Sequence, residues 1–150
     1  MVGISALELL VWPLLPSGDP VCALIDARRG EVYCGAYRRV GAAVEKLVPD
    51  QVAAPDTAVE RVPDACIFVG NGARLYRDEI LAAKGDDARM APRFLQFPDA
   101  ATLAWLTAER LATRGQPAIA LRPLYLRKSD AQIQRKCLTP KDPSAIVEKL

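Results

Sequence analysis

Residues Cys22–Tyr37 read CALIDARRGEVYCGAY, and the fold turns on how that stretch bends. Val21 to Ile25 is a short continuous apolar run, the pattern of a central strand covered on both faces. Val32 to Tyr37 alternates, with Val32, Cys34 and Ala36 pointing one way and Tyr33, Gly35 and Tyr37 the other. The six residues Asp26-Ala27-Arg28-Arg29-Gly30-Glu31 lie between these runs. They admit two readings: a tight hairpin closed by a left-handed Gly30, or a turn that holds an anion. A phosphate cradle presents several backbone N–H groups and needs glycines where the backbone approaches the ligand. Only Gly30 is small here, and the Arg28 and Arg29 side chains fill the approach. Their guanidinium groups suit phosphate, but Asp26 and Glu31 offset that charge. The stretch is read as a hairpin bend stabilised by local charges, with an anion site as the alternative.

On the N-terminal side, Ile4, Leu7, Leu10 and Val11 repeat at helical spacing, and Trp12-Pro13 ends the run. Apart from Ser5 and Glu8 this helix is apolar nearly all round, so it demands cover on more than one side. On the other side, Val44–Val48 reads as a third strand, followed by a short helix around Thr57–Val62 and a strand Cys66–Val69. The turn GNGA then leads into a helix over 74–84, with Leu75, Tyr76, Ile80 and Ala83 inward. Phe94–Phe97 is expected to be one more strand. Pro98 and Asp99 open a long helix whose inward stripe is read as Ala101, Ala104, Trp105, Ala108, Leu111 and Ala112. Gly115 is read as its stop. Three hairpin-linked strands followed by alternating helices and strands predict an α/β fold, a mixed sheet with helices on its faces.

Composition narrows the chemistry. The chain has 150 residues, a formal charge of +2 and no histidine. Without imidazole there is no Ser-His-Asp or Cys-His mechanism and no His-containing zinc site. Residues 1–120 carry 13 basic and 15 acidic side chains, whereas 121–150 carry 7 and 3, so only the last segment could face a polyanion, and a solvated basic tail is the favoured reading of it. Cys22, Cys34, Cys66 and Cys137 are widely spaced, without a Cys-x-x-Cys pair, and are read as reduced thiols of a cytosolic protein. No apolar run reaches the roughly 18 residues of a membrane span, and the N-terminus lacks the features of a signal peptide.

Three further features are candidate sites. Gly70-Asn71-Gly72 follows a strand and opens a helix, the outline of a nucleotide corner, although glycines serve such corners for backbone reasons alone. The tail offers Arg122, Arg127, Lys128, Arg135 and Lys136 around Tyr125. That set could grip RNA and stack a base, or simply dock a strand and leave a solvated end. The acidic neighbours Asp78-Glu79 and Asp86-Asp87 read as surface charge, since adjacency in sequence does not bring carboxylates together on a substrate.

With those residues in hand, the chain resembles the C-terminal portion of the bacterial TsaB (YeaZ) family. The matching segments are MVGISALELL, VCALIDARRGEVYCGAY, IFVGNGARLY, FPDAATLAWLTAERLATRG and PLYLRKSDA, in that order over residues 1–135. The resemblance implies one ribonuclease H-like half of an actin/Hsp70-type fold, a mixed five-stranded sheet with three antiparallel hairpin-linked strands and flanking helices. It implies residues 1–15 as a helix left over from the family's first half, 16–128 as the domain, and 129–150 as a basic tail. That first half, with its Asp-containing strand and GPGSFTG segment, is not represented, so a fragment or split product is expected. The leftover helix should then expose an apolar patch and self-associate or await a partner.

The implied function is a non-catalytic, cytoplasmic partner in making threonylcarbamoyladenosine beside the anticodon of tRNA. It would support a TsaD-like transferase and a TsaE-like ATPase, with tRNA contacted indirectly, and without cofactor, metal or membrane. TsaD-like members carry a histidine metal motif that this chain cannot build, which argues against transferase and peptidase chemistry alike. Asp26, Arg28, Arg29, Gly30 and Glu31 then keep a structural role, and Arg127 ties the closing segment to the sheet. Arg127, Lys128, Arg135 and Lys136 are the candidates for partner or RNA contact. The rival reading is a degenerate actin/Hsp70-type nucleotide-binding or ATP-hydrolysing module using Asp26 and the Gly70–Gly72 corner.

Overall fold

The computed structural model describes residues 1–114 and 122–127. Lys128, Arg135, Lys136, Cys137, the expected stop at Gly115 and the basic tail over 129–150 lie outside them. Helix α1 (Ala6–Val11) continues into a 3-10 turn, Trp12–Ser17. Strands β1 (Val21–Arg28), β2 (Glu31–Val40) and β3 (Ala43–Ala53) follow, then α2 (Pro55–Glu60), β4 (Cys66–Val69), α3 (Asn71–Leu75), α4 (Arg77–Lys84), β5 (Ala88–Met90) and α5 (Ala100–Arg114). The sheet has the order β3-β2-β1-β4-β5, antiparallel across β3-β2-β1 and parallel across β1-β4-β5. This is the expected mixed sheet, with β1 at its centre.

Strand alternation sorts the core into two layers. Cys22 and Leu24 of β1, Val32, Cys34 and Ala36 of β2, and Cys66 and Phe68 of β4 face Ala58 and Val59 of α2, Ala73 of α3 and Ile80 of α4. Val21, Ala23, Tyr37, Ile67 and Val69 face Leu7, Leu10 and Val11 of α1 and Leu15 of the following turn. The apolar side of residues 1–15 is therefore packed on the sheet, which corrects the expectation that this helix presents an open apolar patch. Each of Leu7, Leu10, Val11 and Leu15 is at most 2% exposed, and burial on that scale stabilises by about 2 kcal/mol per side chain.

Helix α5, by contrast, leaves large apolar side chains exposed, Leu103, Trp105 and Leu111 among them. Its described links to the rest of the protein are made by Trp105 and Arg110, with Leu106 between them. Leu106 is buried, and Arg110 donates to Glu8 of α1 through both terminal guanidinium nitrogens. The predicted stripe faces away from the sheet, with Trp105 and Leu111 each more than half exposed. The Trp105 ring lies 5.6 Å from that of Trp12 at the border. The ion pair and Leu106 set the rotation of the helix, and apolar count alone misassigned it.

Two other expectations change. The 74–84 helix breaks at Tyr76 into α3 and α4, leaving Leu75 60% exposed. Phe94–Phe97 is not a strand: Arg93–Leu95 forms a 3-10 turn, and the fifth strand is Ala88–Met90.

The three described thiols, Cys22, Cys34 and Cys66, are free and buried, on one face of three adjacent strands. Burial, more than any neighbouring charge, pushes each thiol up: Cys22 well above its ordinary value, Cys34 upward, and Cys66 to about 12. Burial raises the Tyr37 hydroxyl in the same way, helped by its hydrogen bond to Asp50.

Two predictions follow from these contacts. A Cβ on Gly30 meets nothing within 4 Å, and only its φ of +74° resists substitution; Gly30→Val should cost about 1–2 kcal/mol in urea unfolding. Gly70 combines a φ of +108° with overlap of any Cβ with the Leu24 carbonyl oxygen, so Gly70→Ala should cost about 3 kcal/mol or more. A third prediction concerns alkali. Because the folded thiols hold their protons to higher pH than unfolded ones, their contribution to stability is constant below about pH 8. It should fall as pH rises from there towards 12, by at least about 1 kcal/mol per pH unit. Cys66→Ala should flatten that decline in urea titrations at pH 8 to 11.

Candidate functional site

The hairpin closes as a two-residue turn. Arg28 pairs with Glu31 across the ladder, and Arg29 and Gly30 between them have φ of 57° and 74°. Positive φ at both positions is the primed-turn pattern that matches strand twist. Arg28 is also left-handed, at 63°, where the ladder slips by one residue between Asp26 and Arg28. Gly30 takes the expected conformation, but two arginines share it. That is a costly choice for side chains with a Cβ, at about 1–3 kcal/mol for each such residue.

Local bonds hold the bend. The Arg28 N–H donates to Asp26 Oδ1 at 2.8 Å, so the anion at this turn is the chain's own carboxylate. The Asp26 N–H donates to Asn71 Oδ1 at 3.1 Å, which ties the hairpin to the start of α3. Arg127 donates to the Ala27 carbonyl at 2.9 Å and pairs with Glu31 at 3.0 Å. Its guanidinium is engaged on the hairpin, about 100 residues away in sequence.

Gly70 and Gly72 sit where α3 meets the backbone of β1. A Cβ on Gly72 would lie 2.9 Å from the Leu24 carbonyl and 3.1 Å from the Asp26 nitrogen. The corner is filled by the central strand itself. The Gly70 N–H donates to Gln96 Oε1 at 2.8 Å, and Gln96 Nε2 donates to the Ala91 carbonyl at 2.7 Å. Asp26, Asn71, Gly70 and Gly72 are thus brought together, as packing and bonding partners of one another.

The remaining candidates stay apart. Asp78 and Glu79 are exposed on α4, and Asp86 and Asp87 are exposed in the 3-10 turn after it. Among the described residues no three Cys, Asp or Glu side chains stand close enough to share a metal ion. No described helix is long and apolar enough to cross a membrane. A groove of about 1210 Å³ runs between the N-terminal segment, α5 and residues 122–127. Of its charged lining groups, Glu8 and Arg110 hold each other, and Arg127 holds the hairpin.

One polar cluster had no signal in the sequence. Asp50 of β3 has a side chain only 3% exposed and pairs with Lys46 at 3.0 Å. It accepts hydrogen bonds from Ser5 Oγ at 2.8 Å and from the Tyr37 hydroxyl. Lys46 also lies over the Tyr37 ring, 5.2 Å from its centre. The partners are 45 and 13 residues from Asp50, separations that no local pattern reports.

Arg127→Leu should release the closing segment from the hairpin. Amide exchange at residues 124–127 should quicken at least severalfold, with the midpoint of global unfolding moved by less than the Gly70→Ala effect.

A model of the family described as TsaD, tRNA N6-adenosine threonylcarbamoyltransferase, matches residues 1–135. The tRNA threonylcarbamoyladenosine biosynthesis protein TsaB of Bacillus subtilis (strain 168) is 28% identical over 132 residues, covering 86% of this chain and 56% of that relative. A crystal structure described as an uncharacterized protein with similarity to peptidase YeaZ, from Pseudomonas aeruginosa, superposes with a TM-score of 0.67 at 24% identity, over 83% of this chain and 57% of that one. A second structure, YeaZ from Pseudomonas aeruginosa, gives a TM-score of 0.61 at 24% identity, over 82% and 57%. The chain thus spans a little over half the length of these relatives, and the solved structures share its fold. With the family match running from the first residue through the closing segment, the chain belongs to the TsaD family and, within it, to the TsaB (YeaZ) proteins.

Proposed function

We propose that this chain is a non-catalytic supporting subunit in the synthesis of threonylcarbamoyladenosine beside the anticodon of tRNA. In this reading it works in the cytoplasm with a TsaD-like transferase and a TsaE-like ATPase and holds a surface for them. The observation that carries the reading is the closed corner between β1 and α3. A nucleotide module needs backbone N–H groups open to phosphate. Here the Leu24 carbonyl fills the approach to Gly70 and Gly72, and the Asp26 carboxylate occupies the turn above it. The absence of histidine from the sequence removes the metal motif with which TsaD-like relatives are associated. The same two features weigh against the rival reading of an ATP-hydrolysing module.

Reconstitution tests this directly. The purified chain should neither hydrolyse ATP nor modify tRNA by itself. Added to a TsaD-like transferase and a TsaE-like ATPase with the remaining substrates, it should raise the yield of modified nucleoside at least severalfold, read by mass spectrometry of digested tRNA. Micromolar binding of ATP with Mg²⁺ in calorimetry, weakened by Asp26→Ala, would overturn the reading.

A further inference from the structure

Helix α5 is the longest helix among the described residues and the most thinly attached. Most helical stability in proteins comes from packing one face of the helix. Of residues 100–112, Leu106 alone is buried, whereas Val21 to Leu24 of β1 are all closed to solvent. The bonds at the start of α5 are local: Asp99 Oδ2 accepts from the Thr102 N–H at 2.7 Å and from Thr102 Oγ1 at 2.9 Å. They cap the helix without fastening it to the sheet. Among the described residues, its fastenings beside Leu106 are the ring contact of Trp105 with Trp12 and the Arg110–Glu8 pair.

That pair has the form of a latch. The two terminal guanidinium nitrogens of Arg110 donate to the two carboxylate oxygens of Glu8, a bidentate match that sets geometry as well as energy. The side chains are 28% and 17% exposed, so removing one partner strands the other charge partly out of water. The pair joins two walls of the groove of about 1210 Å³, Glu8 on the N-terminal side and Arg110 on α5. Other bonds anchor the chain on either side of the helix. Gln96 before it is buried and bonds Gly70 and Ala91; Arg127 after it is held at the hairpin. Between Gln96 and the helix lie Phe97, Pro98 and Asp99, all exposed, and a few such loop residues suffice for a hinge.

We propose that α5 is a hinged wall of this groove, latched by the Glu8–Arg110 pair, and that it releases from α1 while the sheet stays folded. Release parts the walls that the pair joins and opens Trp12, which lines the groove, to solvent. A released helix of this length is marginal in water, so its amides exchange through that opening.

Hydrogen–deuterium exchange of the full chain, read by mass spectrometry, tests the release. Amides of residues 104–112 should exchange at least about a hundredfold faster than those of β1 and β2. Glu8→Gln and Arg110→Gln should each quicken the helix by about a further tenfold or more, with the sheet unchanged. The double variant strands no charge and should be no faster than either single one. Trp12 and Trp105 are the two tryptophans of the chain. In a Trp105→Phe background Trp12 alone reports the groove, and Arg110→Gln should raise its quenching by acrylamide at least about twofold. Helix amides as slow as those of β1, or single variants without effect, overturn the proposal. So does a sheet quickened as much as the helix, or a single variant that fails to fold, either of which makes the pair a part of the global core. A double variant faster than both single ones, or Trp12 quenching that ignores Arg110→Gln, overturns it as well.

Discussion

The approach of α3 to the backbone of β1 organises the molecule. Gly70 and Gly72 let the helix rest against Leu24 and Asp26 without an intervening Cβ, and Asn71 between them accepts from the Asp26 N–H. That contact seats α3 over the central strand and carries Ala73 into the same layer as Leu24 and Phe68. It also fixes the start of the first hairpin, because Asp26 is both the end of the apolar run and the acceptor for Arg28. A close-packed interior tolerates few voids. The corner most suggestive of a ligand is therefore the one most fully occupied by protein.

The same argument explains why two features suggestive of phosphate are engaged within the chain. Backbone N–H groups in a left-handed turn attract an anion, and Asp26 supplies one from within the chain. Arginine recognises carboxylates as readily as phosphates, and Arg127 is aimed at Glu31. The hairpin thus becomes the anchor for the closing segment. Its two left-handed arginines are held in place by the ladder on either side and by that anchor.

Much of the fold was legible from residue pattern. The continuous apolar run at Val21–Ile25 announced a strand covered twice, and the alternation of Val32–Tyr37 assigned each side chain to the layer it occupies. Both signals work because strand geometry is local and has a period of two. Legibility ended where a long-range polar contact decided orientation. On α5, Ala101, Ala104, Trp105, Ala108 and Leu111 form the more apolar stripe, yet the buried residue is Leu106 and the ion pair to α1 is made by Arg110. Glu8 holds Arg110 from the far end of the chain. Phe94–Phe97 failed differently: its apolar content fits a strand, but Gln96 turns inward to bond Gly70 and coils the backbone. Asp50 was invisible because Ser5, Tyr37 and Lys46 converge on it from three elements.

The sequence by itself determined the first four strands, the hairpin at Gly30, the family and the exclusion of imidazole chemistry, since these depend on residue identity and near neighbours. Tertiary structure alone decided that the Gly70–Gly72 corner is closed, that α1 belongs to the core, and that Trp105 and Leu111 of α5 are exposed. Each of those outcomes depends on which distant backbone or charge arrives at a position, and no local spacing encodes that arrival.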